Sequence, residues 1–248
     1  MRHNRPNKHK RPLSYRGAGP ADAIAIMATC AEMETEMPVV PVTPEIPASS
    51  EAPITPDQAL TLLIAGNERW SSGQVTHPYR SVERRIALRE GQHPFAAIFS
   101  CIDSRLPPEV VFDQGIGDLA VIRTGAQVLD EGVVLGSLEF SPDHLGTPLI
   151  LIMGHQRCGA VNAAIHTIES GGTAPGHIQA IVDALRPAYD VAVDEAGDLV
   201  DNMVRAHTKL TVERIRTDPV IEEFLGRGEL VVAGAYYSLD TGAVSIIA

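Results

Sequence analysis

Two short apolar runs constrain this chain most, because each leads into residues that can bind a metal. Phe95 to Cys101 is almost wholly apolar, and Leu149 to Met153 is entirely so. Such runs suit strands buried on both faces, as in parallel sheets covered by helices. The first closes in Cys101-Ile102-Asp103-Ser104-Arg105. The second leads into Gly154-His155-Gln156-Arg157-Cys158-Gly159. In open α/β sheets the site lies beyond the carboxyl ends of the strands. If the two strands are neighbours, two thiols, an imidazole, a carboxylate and a guanidinium meet there without a long loop.

The remaining pattern builds around these runs. Thr55-Pro56-Asp57-Gln58 reads as a capping box with proline at the first helical position, and Leu60, Leu63, Ile64 and Asn67 follow at helical spacing up to Gly73. A short helix is expected over Val82 to Arg89, and another from Pro107-Pro108 through Phe112. Leu119 to Ile122 reads as a strand. Glu131 to Phe140 reads as a helix, with Pro142 and Gly146 beyond it. Cys158 to Glu169 reads as a helix closed by Gly171-Gly172. Asp190 to Asp201 reads as a polar, acidic loop. Met203, His207, Leu210, Thr211 and Arg214 suggest a further helix. Leu230 to Tyr237 and Ala243 to Ile247 read as a hairpin at the sheet edge. The fold class is α/β: a mostly parallel central sheet flanked by helices, with an antiparallel edge strand and an N-terminal helical arm.

Residues 1–54 read as a disordered, basic and Pro-rich tail, and 55–248 as one domain. Met37 to Pro56 is rich in Pro, Glu and Ser and cannot bury enough surface to offset its ordering entropy. Six basic residues, from Arg2 to Arg16, precede a short apolar run from Ala23 to Ala31. That order mimics an export signal, but Asp22 abuts the run and no small-x-small cleavage site follows. A cytoplasmic location is expected, with export through an atypical signal as the alternative. No run approaches the ~18 apolar residues of a membrane span. The net charge of −11 over 248 residues argues against nucleic acid as the main partner. Three cysteines make no disulfide framework.

Thiolate and imidazole are ligands that zinc favours, and three protein ligands leave one position open for chemistry. Cys101, His155 and Cys158 supply that set. Cys158 falls near a helix N-terminus, where the backbone dipole favours the thiolate. Gly154 and Gly159 are expected to allow tight turns and close approach. An extended chain past Cys101 would point Cys101, Asp103 and Arg105 the same way. Asp103 could accept a hydrogen bond from zinc-activated water or itself take the fourth zinc position. A bidentate Arg105 would hold it off the metal.

The pattern Cys101-x-Asp103-x-Arg105 with Gly154-His155-x-x-Cys158-Gly159 resembles the β-class carbonic anhydrases. The resemblance runs from about Thr55 to Ile247 and takes in Ala65 to Trp70, Phe112 to Leu119, Arg123-Thr124 and Gly159 to Ala164. It implies one zinc per subunit on Cys101, His155 and Cys158, and Asp103 and Arg105 as the catalytic dyad. It also implies reversible hydration of carbon dioxide to bicarbonate and a proton, by attack of zinc-bound hydroxide. The expected assembly is a dimer or tetramer with sites at the subunit interface. Gln92 matches a glutamine that hydrogen-bonds substrate, and Gly159 is expected beside it. Ala120, where Phe is usual, Phe140, where Tyr is common, and the inverted Gly125-Ala126 map near the substrate pocket. Ile102 replaces a small residue. Ile98 replaces the tryptophan of a bicarbonate-regulated subgroup, which implies an unregulated, open site. Three alternatives stand beside this reading: hydrolysis of carbon disulfide or carbonyl sulfide, a zinc scaffold without turnover, and a cysteine-nucleophile hydrolase.

Overall fold

The structure is a computed structural model, described for residues 54–248. The tail expected over 1–54, its export-signal alternative and Cys30 lie outside the described residues, Ile54 apart. Five strands form one sheet in the order β2-β1-β3-β4-β5. They are β1 (Ala96–Cys101), β2 (Leu119–Thr124), β3 (Leu149–His155), β4 (Val231–Tyr237) and β5 (Val244–Ile246). Strands β1 to β4 pair in parallel and β5 joins β4 antiparallel, as the hairpin reading expects. Strands β1 and β3 are direct neighbours, with Ser100 level with Met153.

Side-chain alternation splits the core. Ala96, Ile98, Leu149, Leu151 and Met153 pack on one face with Leu63 and Phe112. Ala97, Phe99, Ile150 and Ile152 pack on the other with Leu138, Val212 and Ile215. Every residue of β1 and β3 is buried, whereas β2 is half-buried along its whole length as an edge strand.

The arm is helix α1 (Pro56–Ser71), which begins in the expected capping box: the Gln58 N–H donates to Thr55 Oγ1 and the Thr55 N–H to Gln58 Oε1. Asn67 docks it. Its amide nitrogen donates to the Val111 and Gly242 carbonyls, and its amide oxygen accepts from the Val244 N–H. Trp70 packs against the core and donates from Nε1 to the Tyr237 hydroxyl. Two short helices follow, α2 (Val82–Ala87) and α3 (Pro108–Val111).

Later helices depart from expectation. Helix α4 (Val133–Leu145) does not stop before Pro142 but runs through it to Gly146, which adopts φ 64° and caps the end. Proline removes one amide donor. Here it sits in a buried turn, and the preceding Ser141 hydroxyl donates to the Ser137 carbonyl. Helix α5 (Gly159–Glu169) lies where expected, with Cys158 as its N-cap. The acidic loop is shorter than expected, because helix α6 (Ile178–Ala192) occupies its start. Val182, Leu185, Ala188 and Ala192 bury one stripe of α6, and that stripe outweighs Pro187 within it. Helix α7 (Leu199–Arg216) begins at Asp198, whose carboxylate caps the Asp201 N–H. Helix α8 (Pro219–Gly226), not expected, starts from Asp218, which accepts from the Val220 and Ile221 N–H groups.

Candidate metal centre

Strand β1 ends at Cys101 and β3 at His155, so parallel pairing alone brings both to one edge of the sheet. The chain then turns, and Cys158 caps α5 beside them. The ligand atoms of Cys101, His155 and Cys158 all lie within 4.8 Å of one another, and Asp103 is not in that group. All three residues are buried.

This donor set fits zinc on three counts. The sulfurs of Cys101 and Cys158 are 4.0 Å apart. Tetrahedral coordination with Zn–S bonds of about 2.3 Å puts two sulfurs ~3.8 Å apart. His155 Nδ1 lies 3.0 Å from the Gln156 carbonyl. An N–H there fixes the tautomer and leaves the Nε2 lone pair free for a metal. Nε2 is buried and has no hydrogen-bond partner among the described residues. Finally, the Cys158 thiol beside Cys101 holds the Cys101 thiol well below its usual range, while the same contact and burial push Cys158 up. One proton shared by two buried sulfurs is what a divalent cation displaces.

The dyad forms by a turn, not by strand alternation. Extended backbone ends at Cys101, and Ser104-Arg105 lies in a turn. The Arg105 N–H donates back to Asp103 Oδ1 at 3.0 Å. Arg105 Nε reaches Oδ1 at 2.9 Å and Nη2 reaches Oδ2 at 2.6 Å. The side-chain contact with Arg105 brings the Asp103 carboxyl down to about 2. A second arginine, which sequence reasoning left without a role, clamps the same segment. Arg123 donates from Nε to the Cys101 carbonyl at 2.7 Å and from Nη2 to the Asp103 carbonyl at 2.5 Å.

The metal loop is braced from behind. Arg157 has φ 52°, and its carbonyl accepts from Arg105 Nη2. Its guanidinium forks onto Asp240 at 2.7 and 2.9 Å. Gly154 is required: an added Cβ would collide with Thr208 Oγ1 and lie 2.8 Å from Val204 Cγ1. Gly159 is not, since a Cβ there meets nothing within 4 Å. His207 is buried in α7, and burial holds its imidazole down at about 4, hence neutral.

The residues mapped to the substrate pocket lie on separate elements. Gln92 is exposed before β1, and Ala120 lies in edge strand β2. Gly125 opens a one-turn 3₁₀ segment, Gly125–Gln127. Phe140 is half exposed on α4, stacked on His144 at 4.3 Å between ring centroids. A cleft of about 900 Å³ opens behind the metal loop, lined by Gly159, Gln156, Arg157, Asp201, Arg205 and Tyr236 among others. Neither the dyad nor a candidate ligand lines it, so this cleft is not where the metal chemistry sits.

Comparison with known proteins agrees with this geometry. Residues 96–244 match the family model described as carbonic anhydrase. Carbonic anhydrase 2 of Mycobacterium tuberculosis is 39% identical over 188 residues, spanning 75% of this chain and 90% of that protein. The carbonic anhydrase of Mycolicibacterium smegmatis is 35% identical over 192 residues, 77% and 93% of the two chains. The Coccomyxa β-carbonic anhydrase, solved in complex with acetazolamide, superposes with a TM-score of 0.59 at 25% identity, covering 76% and 86%. A tetrameric β-carbonic anhydrase of Sordaria macrospora gives 0.61 at 19% identity, covering 76% and 96%. By its sequence match, its sheet and its donor set, the chain belongs to the β-class carbonic anhydrase family.

Proposed function

We propose that this chain is a zinc carbonic anhydrase that interconverts carbon dioxide and bicarbonate, with Cys101, His155 and Cys158 holding the metal and Asp103 and Arg105 beside its open position. One observation carries the residue assignment: three buried donors converge, with His155 Nε2 unpartnered among them. Bound zinc supplies Lewis acidity that makes hydroxide available near neutral pH. Arg105 places two donors on Asp103 Oδ1, its N–H and Nε, and one on Oδ2, its Nη2, a grip that would hold the carboxylate off a bound metal. Oδ2, with a single donor, retains capacity to accept a hydrogen bond from, and orient, the attacking water. Arg123 fixes the backbone at Cys101 and Asp103.

Two thiolates cancel the metal's formal charge, which weakens its acidifying effect, so activity should rise with pH. The Asp103 carboxyl, at about 2, is ionised throughout that range and cannot be the group that titrates. A rate that stays flat between about pH 6.5 and 9 would remove zinc-water ionisation as the controlling step.

The substrate wall is assigned to Gln92 and Gly159 together with Ala120, Gly125 and Phe140, part of it from a second copy. The half-buried β2 edge and the exposed Val133, Phe140 and Ile102 support self-association as a dimer or tetramer. The free thiols of Cys101 and Cys158 support a reducing, cytoplasmic setting. The named relatives are carbonic anhydrases, which does not favour carbon disulfide or carbonyl sulfide as substrate. Stopped-flow hydration of carbon dioxide by zinc-replete protein, alongside metal analysis, tests the reading. One zinc per chain and rapid turnover are expected. Metal-free protein, or metal-loaded protein without hydration activity, would overturn it.

A further inference from the structure

Behind the metal centre the backbone does something its residue types disfavour. Ala126 and Gln127, neither of them glycine, are both left-handed, with φ 54° and 47°. A Cβ crowds the backbone in that region, so consecutive residues stay there only where surrounding contacts enforce it. What the distortion achieves is local: it aims the Ala126 N–H at Cys101 Sγ, 3.3 Å away.

The enforcing contacts come from α7. Gln127 Nε2 donates to Thr208 Oγ1 at 3.2 Å, across 81 residues of sequence. Both side chains are buried, Gln127 2% and Thr208 0% exposed. The Thr208 hydroxyl spends its own proton on the Val204 carbonyl at 2.9 Å and so faces Gln127 as an acceptor. Within the turn, the Val128 N–H donates to the Gly125 carbonyl and Thr124 Oγ1 donates to the Val128 carbonyl. The bond passes over Gly154, the residue before His155: a Cβ there would also lie 3.3 Å from Gln127 Nε2.

We propose that Gln127 and Thr208 are positioning residues of the zinc centre, whose buried hydrogen bond holds the left-handed turn that presents the Ala126 N–H to the Cys101 sulfur. An N–H donated to a metal-bound thiolate draws charge from the sulfur and fixes its direction, and so tunes both metal affinity and the metal's acidity. The inference rests on Cys101 being a metal ligand, as assigned above. Neither residue touches the metal or substrate; both act through Ala126.

The test uses cobalt- and zinc-loaded full-length protein. Thr208→Val keeps the volume and removes the acceptor, and Gln127→Met keeps the length and removes the donor. Each should shift the thiolate-to-cobalt charge-transfer band and speed zinc release to a chelator about tenfold. The double variant should do no more than either alone, because both break one bond. Thr208→Ser should restore the wild-type band and release rate. Folded single variants with an unchanged band and unchanged release would overturn the proposal, as would a Thr208→Ser protein that behaves like Thr208→Val. A wild-type protein with no thiolate band at all would instead overturn the ligand assignment itself.

Discussion

Two aspartate–arginine pairs in this molecule look alike on paper and are built for opposite ends. Asp113 pairs with Arg69 at 2.7 Å and Asp103 with Arg105 at 2.6 Å. The Asp113 side chain is fully buried and saturated: Arg69 Nε, the Thr76 N–H and hydroxyl, and the His77 N–H all donate to its carboxylate. The Asp103 side chain is 16% exposed, and among the described residues its only donors are the Arg105 fork and amide. A saturated carboxylate has no capacity left for a ligand and can serve only structure. One held by a single neighbour stays ionised and correctly aimed yet can still accept a proton donor. Number of donors, more than the ion pair itself, separates the anchor of the N-terminal arm from the dyad of the site.

The largest effect should come from the anchor. Asp113→Ala leaves Arg69 and three other donors without their acceptor, at a cost of about 4 kcal/mol in folding free energy. Denaturant titration should show that loss, while the kcat of the protein that remains folded stays near wild type. Arg105→Ala should do the reverse. Freed, Asp103 is expected to move onto the metal as a fourth ligand and close the site. Hydration should fall roughly 100-fold, about 2.7 kcal/mol of barrier, with little change in unfolding midpoint. Near-wild-type kcat in Arg105→Ala would break the distinction between the two pairs.

Acid separates them next. Burial opposes ionisation of Asp113, but Arg69 and the backbone amides of Thr76 and His77 win and hold its carboxyl below the usual range. A group depressed on folding stabilises above its unfolded value, about 3.9, and that contribution is lost as pH falls toward its folded value. Wild-type protein should therefore lose stability on acidification below about pH 4. Asp113→Asn should remove most of that dependence in urea titrations at stepped pH. Asp103→Asn should leave it largely in place, since Asp103 is more exposed and has fewer donors. Equal effects from the two variants would erase the contrast.

The same contrast explains what could be read in advance. Strands β1 and β3 were legible because strands buried on both faces are unbroken apolar runs, and their ends delivered Cys101 and His155. The α1 capping box was legible because it is local. Helix α6 was not: Pro187 and the acidic residues that follow hid its stripe of Val182, Leu185 and Ala188. Helix α8 had a signal, Asp218-Pro219, that went unused. The ligands and dyad sit in two short motifs, so sequence spacing exposes them. Their supports do not. Arg123 grips the backbone of another strand, and Gln127 meets Thr208 only after the fold closes. Ala126 and Gln127 give no sign of a left-handed turn, because neither is glycine.

The smallest expected effect is the most discriminating. Arg105 engages both Asp103 oxygens as a fork, which lysine cannot reproduce, so Arg105→Lys should lower kcat about tenfold while retaining charge. Arg69 uses one nitrogen on the Asp113 carboxylate and sends Nη2 to the Asp113 backbone carbonyl at 3.3 Å. Its side chain is one-third exposed, and three other groups already donate to Asp113. Lysine can supply the single contact, so Arg69→Lys should cost under about 1 kcal/mol in a thermal unfolding series and nothing in turnover. If Arg69→Lys instead destabilised as much as Asp113→Ala, planar geometry rather than donor number would be what holds the arm. The contrast between the two pairs would then have to be drawn from burial alone.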